Sequence, residues 1–183
     1  MHPQLQTILD ELASASERLR RLVDAFPAER WPVRVDPERW SVSECVAHLN
    51  LTSEAFIPRI RRKLEEGRRS DSSAPARFRH DALGWVLYRG MGPPVRLRVK
   101  TPAKYIPQAG AAPNELVSEF ERLQIEQVAC VEAAEGLPLH RIWVPSPFSR
   151  RLRYSLYSAL TVLPLHQHRH LWQAEQVAAA ADR

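Results

Sequence analysis

The sequence predicts an all-α protein: a four-helix bundle with a long basic loop between its second and third helices. Three observations carry this. Four segments repeat apolar residues at steps of three and four, the period of an amphipathic helix. Proline-rich stretches separate these segments, and neither a strand–helix rhythm nor an internal repeat runs along the chain. With 183 residues, 44% hydrophobic and 26% charged, the chain has the length and balance of a single domain over residues 1–183. Four amphipathic helices bury their stripes most simply against one another.

The first helix is expected over residues 4–26, where Leu5, Ile8, Leu9, Leu12, Leu19, Leu22, Val23 and Phe26 form the apolar side and Pro27 the stop. Its opening, MHPQLQTILDELASAS, lacks a basic run followed by an apolar block, so it reads as helix and not as a signal peptide. Residues 27–40 are rich in proline and charge and read as a loop. The second helix opens at Ser41, with Glu44 three residues on, a capping-box pattern. Trp40 precedes the cap and is placed to staple onto Cys45. The stripe continues through Val42, Cys45, Val46, Leu49, Phe56, Ile57 and Ile60, with Pro58 expected to kink or loosen it.

Residues 67–113 have no long period. Glycine and proline are concentrated in GMGPP, TPAKYIPQAG and AAP, while GWVLYRG and VRLRVK read as a helical turn and an extended piece. A loop of this length in a compact domain is expected to be functional or a cover. The third helix follows over 114–136, with Asn114 as N-cap and Gly136 as stop. After a proline-rich connection, the fourth runs from about Tyr154 to Ala180 with Pro164 inside it.

Several function classes are excluded or weakened by composition. No stretch approaches the roughly 20 apolar residues of a membrane span. The two cysteines, Cys45 and Cys130, form no CxxC pair, so a disulfide scaffold or zinc finger is not expected and a reducing cytoplasm is the default. The net charge of +5 is uneven, with thirteen Lys/Arg against four Asp/Glu between Arg59 and Lys104. That section suits phosphates, an anionic small molecule, or solubility alone. Aromatic residues there are too few and scattered for stacking on bases, which makes nucleic acid the weakest of these partners. The chain contains no G-x-S-x-G, phosphate-binding glycine loop or H-E-x-x-H.

Histidines carry the remaining chemistry. His166 and His170 are four residues apart, so a helix puts their Cβ atoms on one face about 6 Å apart. They interrupt the apolar stripe between Leu163 and Leu171 and therefore point inward. Two inward imidazoles can share one cation, or each can be a hydrogen-bonded core residue; spacing alone leaves both open. His168 is about 200° around the helix and should face solvent or another partner. His48 lies near the core face of the second helix and would supply a third imidazole, leaving positions free for water or substrate. His2, His80 and His140 read as loop or terminal residues without chemistry. Cys45, three residues from His48, is read as an inert core thiol rather than a nucleophile. Gln127, on the inner face of the third helix, either hydrogen-bonds near the site or marks a polar layer.

Two segments resemble a known family. RWSVSECVAHLNLTSE resembles the W-S-x-x-E-x-x-x-H-L segment of the DinB/YfiT-like superfamily, and LPLHQHRHLWQAEQV resembles its closing H-x-x-x-H-L-x-Q segment. VKTPAKYIPQAG looks like the T-P-x-x-x-x-P element of one bacterial branch. The resemblance implies an up-down-down-up four-helix bundle, often a homodimer. It also implies a divalent metal, commonly nickel or zinc, on three histidines whose positions fall on His48, His166 and His170; His168 falls at a variable position. Members with assigned activity include thiol-dependent S-transferases and mycothiol-dependent isomerases, and others are described as metal-dependent hydrolases. For this chain the implied reading is a metal-dependent enzyme acting on a small molecule, with a low-molecular-weight thiol as co-substrate. Arg59, Arg62, Arg96 and Gln127 are the candidates for holding its polar groups. The alternatives are a metal-binding but non-catalytic stress or interaction protein, and nucleic-acid binding through the basic section.

Overall fold

Four of the helices are those that the apolar periodicity marks. The computed structural model describes residues 1–69, 72–92, 101–108, 110–149 and 151–181. Among them are five α-helices: α1 (Pro3–Ala25), α2 (Val42–Gly67), α3 (Ala82–Met91), α4 (Pro113–Glu132) and α5 (Leu156–Ala181). None of these helices is long and apolar enough to cross a membrane.

Their ends have local causes. The His2 ring caps α1, accepting from the Gln4 N–H at 3.2 Å, and Pro3 opens the helix. The expected capping box at α2 is formed in both directions, with Glu44 N–H donating to Ser41 Oγ at 3.2 Å and Ser41 N–H donating to Glu44 Oε2 at 2.8 Å. Both α2 and α5 run on through their internal prolines, Pro58 and Pro164. The Arg59 guanidinium donates to the Ala55 carbonyl at that turn. The cap of α4 is Ala112, not Asn114. Pro113 takes the first helical position, and Glu115 accepts from the Ala112 N–H at 3.2 Å.

Two elements depart from the expected four-helix pattern. Within the section read as irregular, the helical turn expected at GWVLYRG is part of a full helix, α3, behind an Asp81 cap whose carboxylate accepts from Gly84 N–H at 3.1 Å, while the extended piece expected at VRLRVK lies outside the described residues. Ahead of α5, β1 (Trp143–Pro145) and β2 (Arg153–Ser155) form an antiparallel hairpin in which Val144 faces Tyr154.

α1 and α2 each pack against both α4 and α5, and α3 lies on α5. The core divides into two apolar clusters. One joins Leu5, Ile8 and Leu12 of α1 with Phe56, Ile57, Ile60 and Leu64 of α2, Val131 of α4 and Leu156 and Leu160 of α5. The other joins Leu19 and Leu22 with Val42, Cys45 and Val46, Phe120, and Leu171 and Ala174. Polar side chains fill the layer between them. Gln124, Gln127 and Gln167 bond to one another at 2.8–3.4 Å, Gln127 also to Ser53 at 3.3 Å, and all four are buried. The histidines belong to this layer.

Candidate metal centre

α2 and α5 bring His48, His166 and His170 together, with one ring nitrogen of each within 4.8 Å of the others. The four-residue spacing on α5 sets the His166 and His170 rings 4.5 Å apart, and His48 lies 4.5 Å from the His170 ring and 5.1 Å from the His166 ring. His48 and His170 are buried. His166 is partly buried as a residue, with its ring densely surrounded by protein atoms.

Groups around the rings fix their tautomers. His48 Nδ1 lies 2.8 Å from the Tyr105 carbonyl, which can only accept, so Nδ1 carries the proton and the lone pair is on Nε2. His166 Nδ1 lies 3.5 Å from Thr52 Oγ1, whose own proton is directed to the His48 and Leu49 carbonyls at 2.9 and 3.0 Å. With Thr52 accepting, His166 also leaves its lone pair on Nε2. The two Nε2 atoms then face each other at 3.3 Å. Two lone pairs at that distance repel unless a cation or proton lies between them. Nitrogens bound at about 2.1 Å with angles of about 90–110° are themselves about 3.0–3.4 Å apart, so the observed spacing fits a shared metal. Among the described residues His170 Nδ1 is buried without a well-formed hydrogen bond, although the Gln173 side chain lies near it.

Electrostatics favour the same state. Burial is the main cause that pushes His166 and His170 well below the ordinary imidazole value, with neighbouring histidines adding to it; burial also lowers His48, against the Tyr105 hydrogen bond. Three neutral imidazoles are the form that binds cations. The set within 4.8 Å contains no carboxylate or thiol among the described residues.

The surrounding wall is aromatic. Trp40 stacks on His170 at 5.7 Å and lies 4.8 Å from His48, and Phe148 is 6.3 Å from His166. Tyr105 meets Phe148 edge-on at 4.9 Å and donates its hydroxyl to the Pro147 carbonyl at 3.0 Å. Sequence reasoning saw Trp40 only as a staple and did not single out Thr52, Tyr105 or Phe148. Tyr105 does lie inside the T-P-x-x-x-x-P element, which is the one signal that pointed to it.

The other expected residues separate. Arg59 and Arg62 line a cavity beside the hairpin. Gln127 sits in the buried amide layer, and Arg96 lies outside the described residues. Burial pushes the Cys45 thiol up to about 12, which keeps it protonated. His168 does not face solvent. It is buried against α1, where Arg18 donates to its Nδ1 at 3.0 Å and Glu11 Oε2 faces its Nε2 at 2.9 Å. His80 bridges α3 and α5, stacked with Tyr88 at 4.7 Å and 3.3 Å from Ser158 Oγ.

No curated protein and no solved structure matches the chain. A family model does, that of the DinB superfamily, over residues 11–174. The matched span includes α2, α4 and all three converging histidines. The chain belongs to the DinB superfamily.

Proposed function

We propose that the protein is a divalent-metal-dependent enzyme acting on a small molecule, with His48, His166 and His170 as the ligands and nickel or zinc as the metal. The observation that carries this is the pair of Nε2 atoms facing each other at 3.3 Å, each with its opposite ring nitrogen turned to an oxygen. Bound there, the cation supplies Lewis acidity and lowers the pKa of a bound water or thiol. The protein's own part is positional. Tyr105 holds the His48 tautomer, Trp40 and Phe148 wall the centre, and substrate would approach on the side of His166, the one ligand of the three that is not fully buried.

The reaction read for it is thiol-dependent S-transfer, with hydrolysis as the other class, since a low-molecular-weight thiol gains nucleophilicity as its thiolate. An up-down-down-up arrangement of α1, α2, α4 and α5 frames the site. It is supported by the first half of α1 sharing its cluster with the second half of α2 and the first half of α5. A cytoplasmic homodimer is the form proposed.

A metal-binding but non-catalytic protein is the second reading, because it uses the same three ligands and needs no nucleophile, acid or base beside them. Metal analysis of protein purified without a His-tag, with nickel and zinc titrations, tests the centre: about one equivalent per chain is expected, and His170→Ala should lose it. Protein that takes up neither metal would refute the centre. A thiol-transfer screen with several electrophiles then separates the readings. Turnover abolished in His170→Ala selects the enzyme, and stoichiometric metal without turnover selects the binding protein.

A further inference from the structure

A cavity of about 410 Å³ opens between the C-terminal half of α2 and the hairpin, lined by Pro58, Arg59, Arg62, Pro145 and Ser146. Arg59 and Arg62 are three residues apart and share a helix face. Among the described residues none that lines it is acidic. Among the described residues Arg59 makes no ion pair, and its guanidinium bonds only to the Ala55 carbonyl of its own helix. Arg62 meets Glu66 only at 3.9 Å, and Glu66 is held more closely by Lys63. Two guanidinium groups therefore face one concavity with little to neutralise them.

A second observation comes from β2. Tyr154 is 2% exposed, yet among the described residues its hydroxyl makes no well-formed hydrogen bond, with Ser146 the hydroxyl beside it. It lies against Ser146 and Arg59, two of the residues that line the cavity. Burial pushes it far above the ordinary phenol range, so it remains a donor. Ser146 Oγ already accepts from the Phe148 N–H at 3.2 Å, which leaves its own proton available. Buried hydroxyls nearly always find a partner. The two guanidinium groups and the Ser146 hydroxyl keep protons to give, so an acceptor with several lone pairs suits the set.

We propose that this cavity is an oxyanion subsite, in which Arg59, Arg62, Ser146 and Tyr154 hold the carboxylate or phosphate end of a small molecule. Its place suits a ligand that also reaches the histidines. Arg59 lies three helical turns beyond His48 on α2, about 16 Å along the axis. Phe148 bridges the interval, partly exposed, 5.6 Å from Phe56 on one side and 6.3 Å from His166 on the other. The reach to the histidines rests on the metal-dependent reading above; the binding of the anion does not.

The test titrates EDTA-treated protein with inorganic phosphate and, separately, with succinate at constant ionic strength. Arginine Nε–H and backbone amide NMR signals report the site. Saturable shifts confined to Arg59, Arg62 and the Ser146 region are expected. The tighter of the two anions identifies the head group as phosphoryl or carboxylate. Arg59→Gln should weaken binding about tenfold or more, as loss of a charge-assisted hydrogen bond does, and Tyr154→Phe about threefold with an unchanged circular dichroism spectrum. Arg89→Gln, on α3, should leave affinity unchanged. Non-saturable shifts spread over the surface arginines, or unaltered affinity in Arg59→Gln, would overturn the subsite. Anion binding by metal-free protein establishes it even if the histidines take no metal, and metal uptake without anion binding removes the subsite alone.

Discussion

Gly84 shows how one absent side chain fixes a helix in place. A Cβ there would lie 2.0 Å from Ser158 Oγ and 2.3 Å from Ser158 Cβ. Ser158 has no room to yield, because it is fully buried and its hydroxyl is tied to Asp81 at 2.7 Å and to Ser155 at 2.9 Å. Gly84→Ala must push α3 away from α5. The expected loss is about 1–3 kcal/mol from overpacking, partly offset by the roughly 1 kcal/mol that alanine gains in helix propensity. A urea midpoint at or above that of the parent would contradict the contact. His168 gives the complementary lesson. A helical wheel correctly separates it from His166 and His170, because direction around one helix is a local property. The wheel contains nothing about Glu11 and Arg18, which arrive from α1 some 150 residues earlier and bury it.

Among the elements, α2 owes its position to its first turn. Ser41 and Glu44 cap it reciprocally, and Arg34 clamps the same Glu44 carboxylate from the preceding loop. The Arg34 hydrogen bond is the main cause that holds Glu44 below its ordinary 4.5, with burial opposing it and the Ser41 bonds adding to it. The folded chain therefore binds that proton less readily than the unfolded chain. The contribution is complete above about pH 4.5 and is lost as pH falls through the lower folded value. Glu44→Gln keeps an acceptor for the capping box and removes only the charge. Its deficit in thermal midpoint should be full at about pH 7 and shrink by about pH 3; a constant deficit would exclude the charge as its source. This turn was legible because both capping partners are neighbours in sequence. α3 was legible only as the helical turn at GWVLYRG, because Trp85, Val86 and Tyr88 are apolar and exposed, which blurs the one-sided period that marks a buried helix. The hairpin was hidden for another reason: its strands have only three residues each, too few for a period, and one contains a proline.

For the whole molecule, the decisive feature is a polar layer between two apolar clusters. Its residues appear in the sequence as interruptions of otherwise regular stripes, Asn50 to Ser53 in α2, Gln124 and Gln127 in α4, and His166 to His170 in α5. Periodicity shows that each helix is interrupted. It does not show that the interruptions share one level, since that depends on helix order and offset. His48 and His166 meet across 118 residues of chain, so a cation held between them joins α2 to α5 only in the folded state. Metal must then stabilise the entire fold by mass action. At a free concentration about 100 times Kd the gain is about 2.7 kcal/mol, which for a chain of this size raises the unfolding midpoint by about 5–10 °C; any affinity of unfolded histidines for the metal reduces it. Scanning calorimetry with increasing nickel or zinc should show the midpoint rising with the logarithm of free metal. His48→Ala should lower the metal-free midpoint and remove the response. Gln127→Ala, which breaks the amide layer but removes no imidazole, should lower the midpoint and keep the response. A response that survives His48→Ala would mean that the cation binds elsewhere and that the facing Nε2 pair is joined by a proton instead.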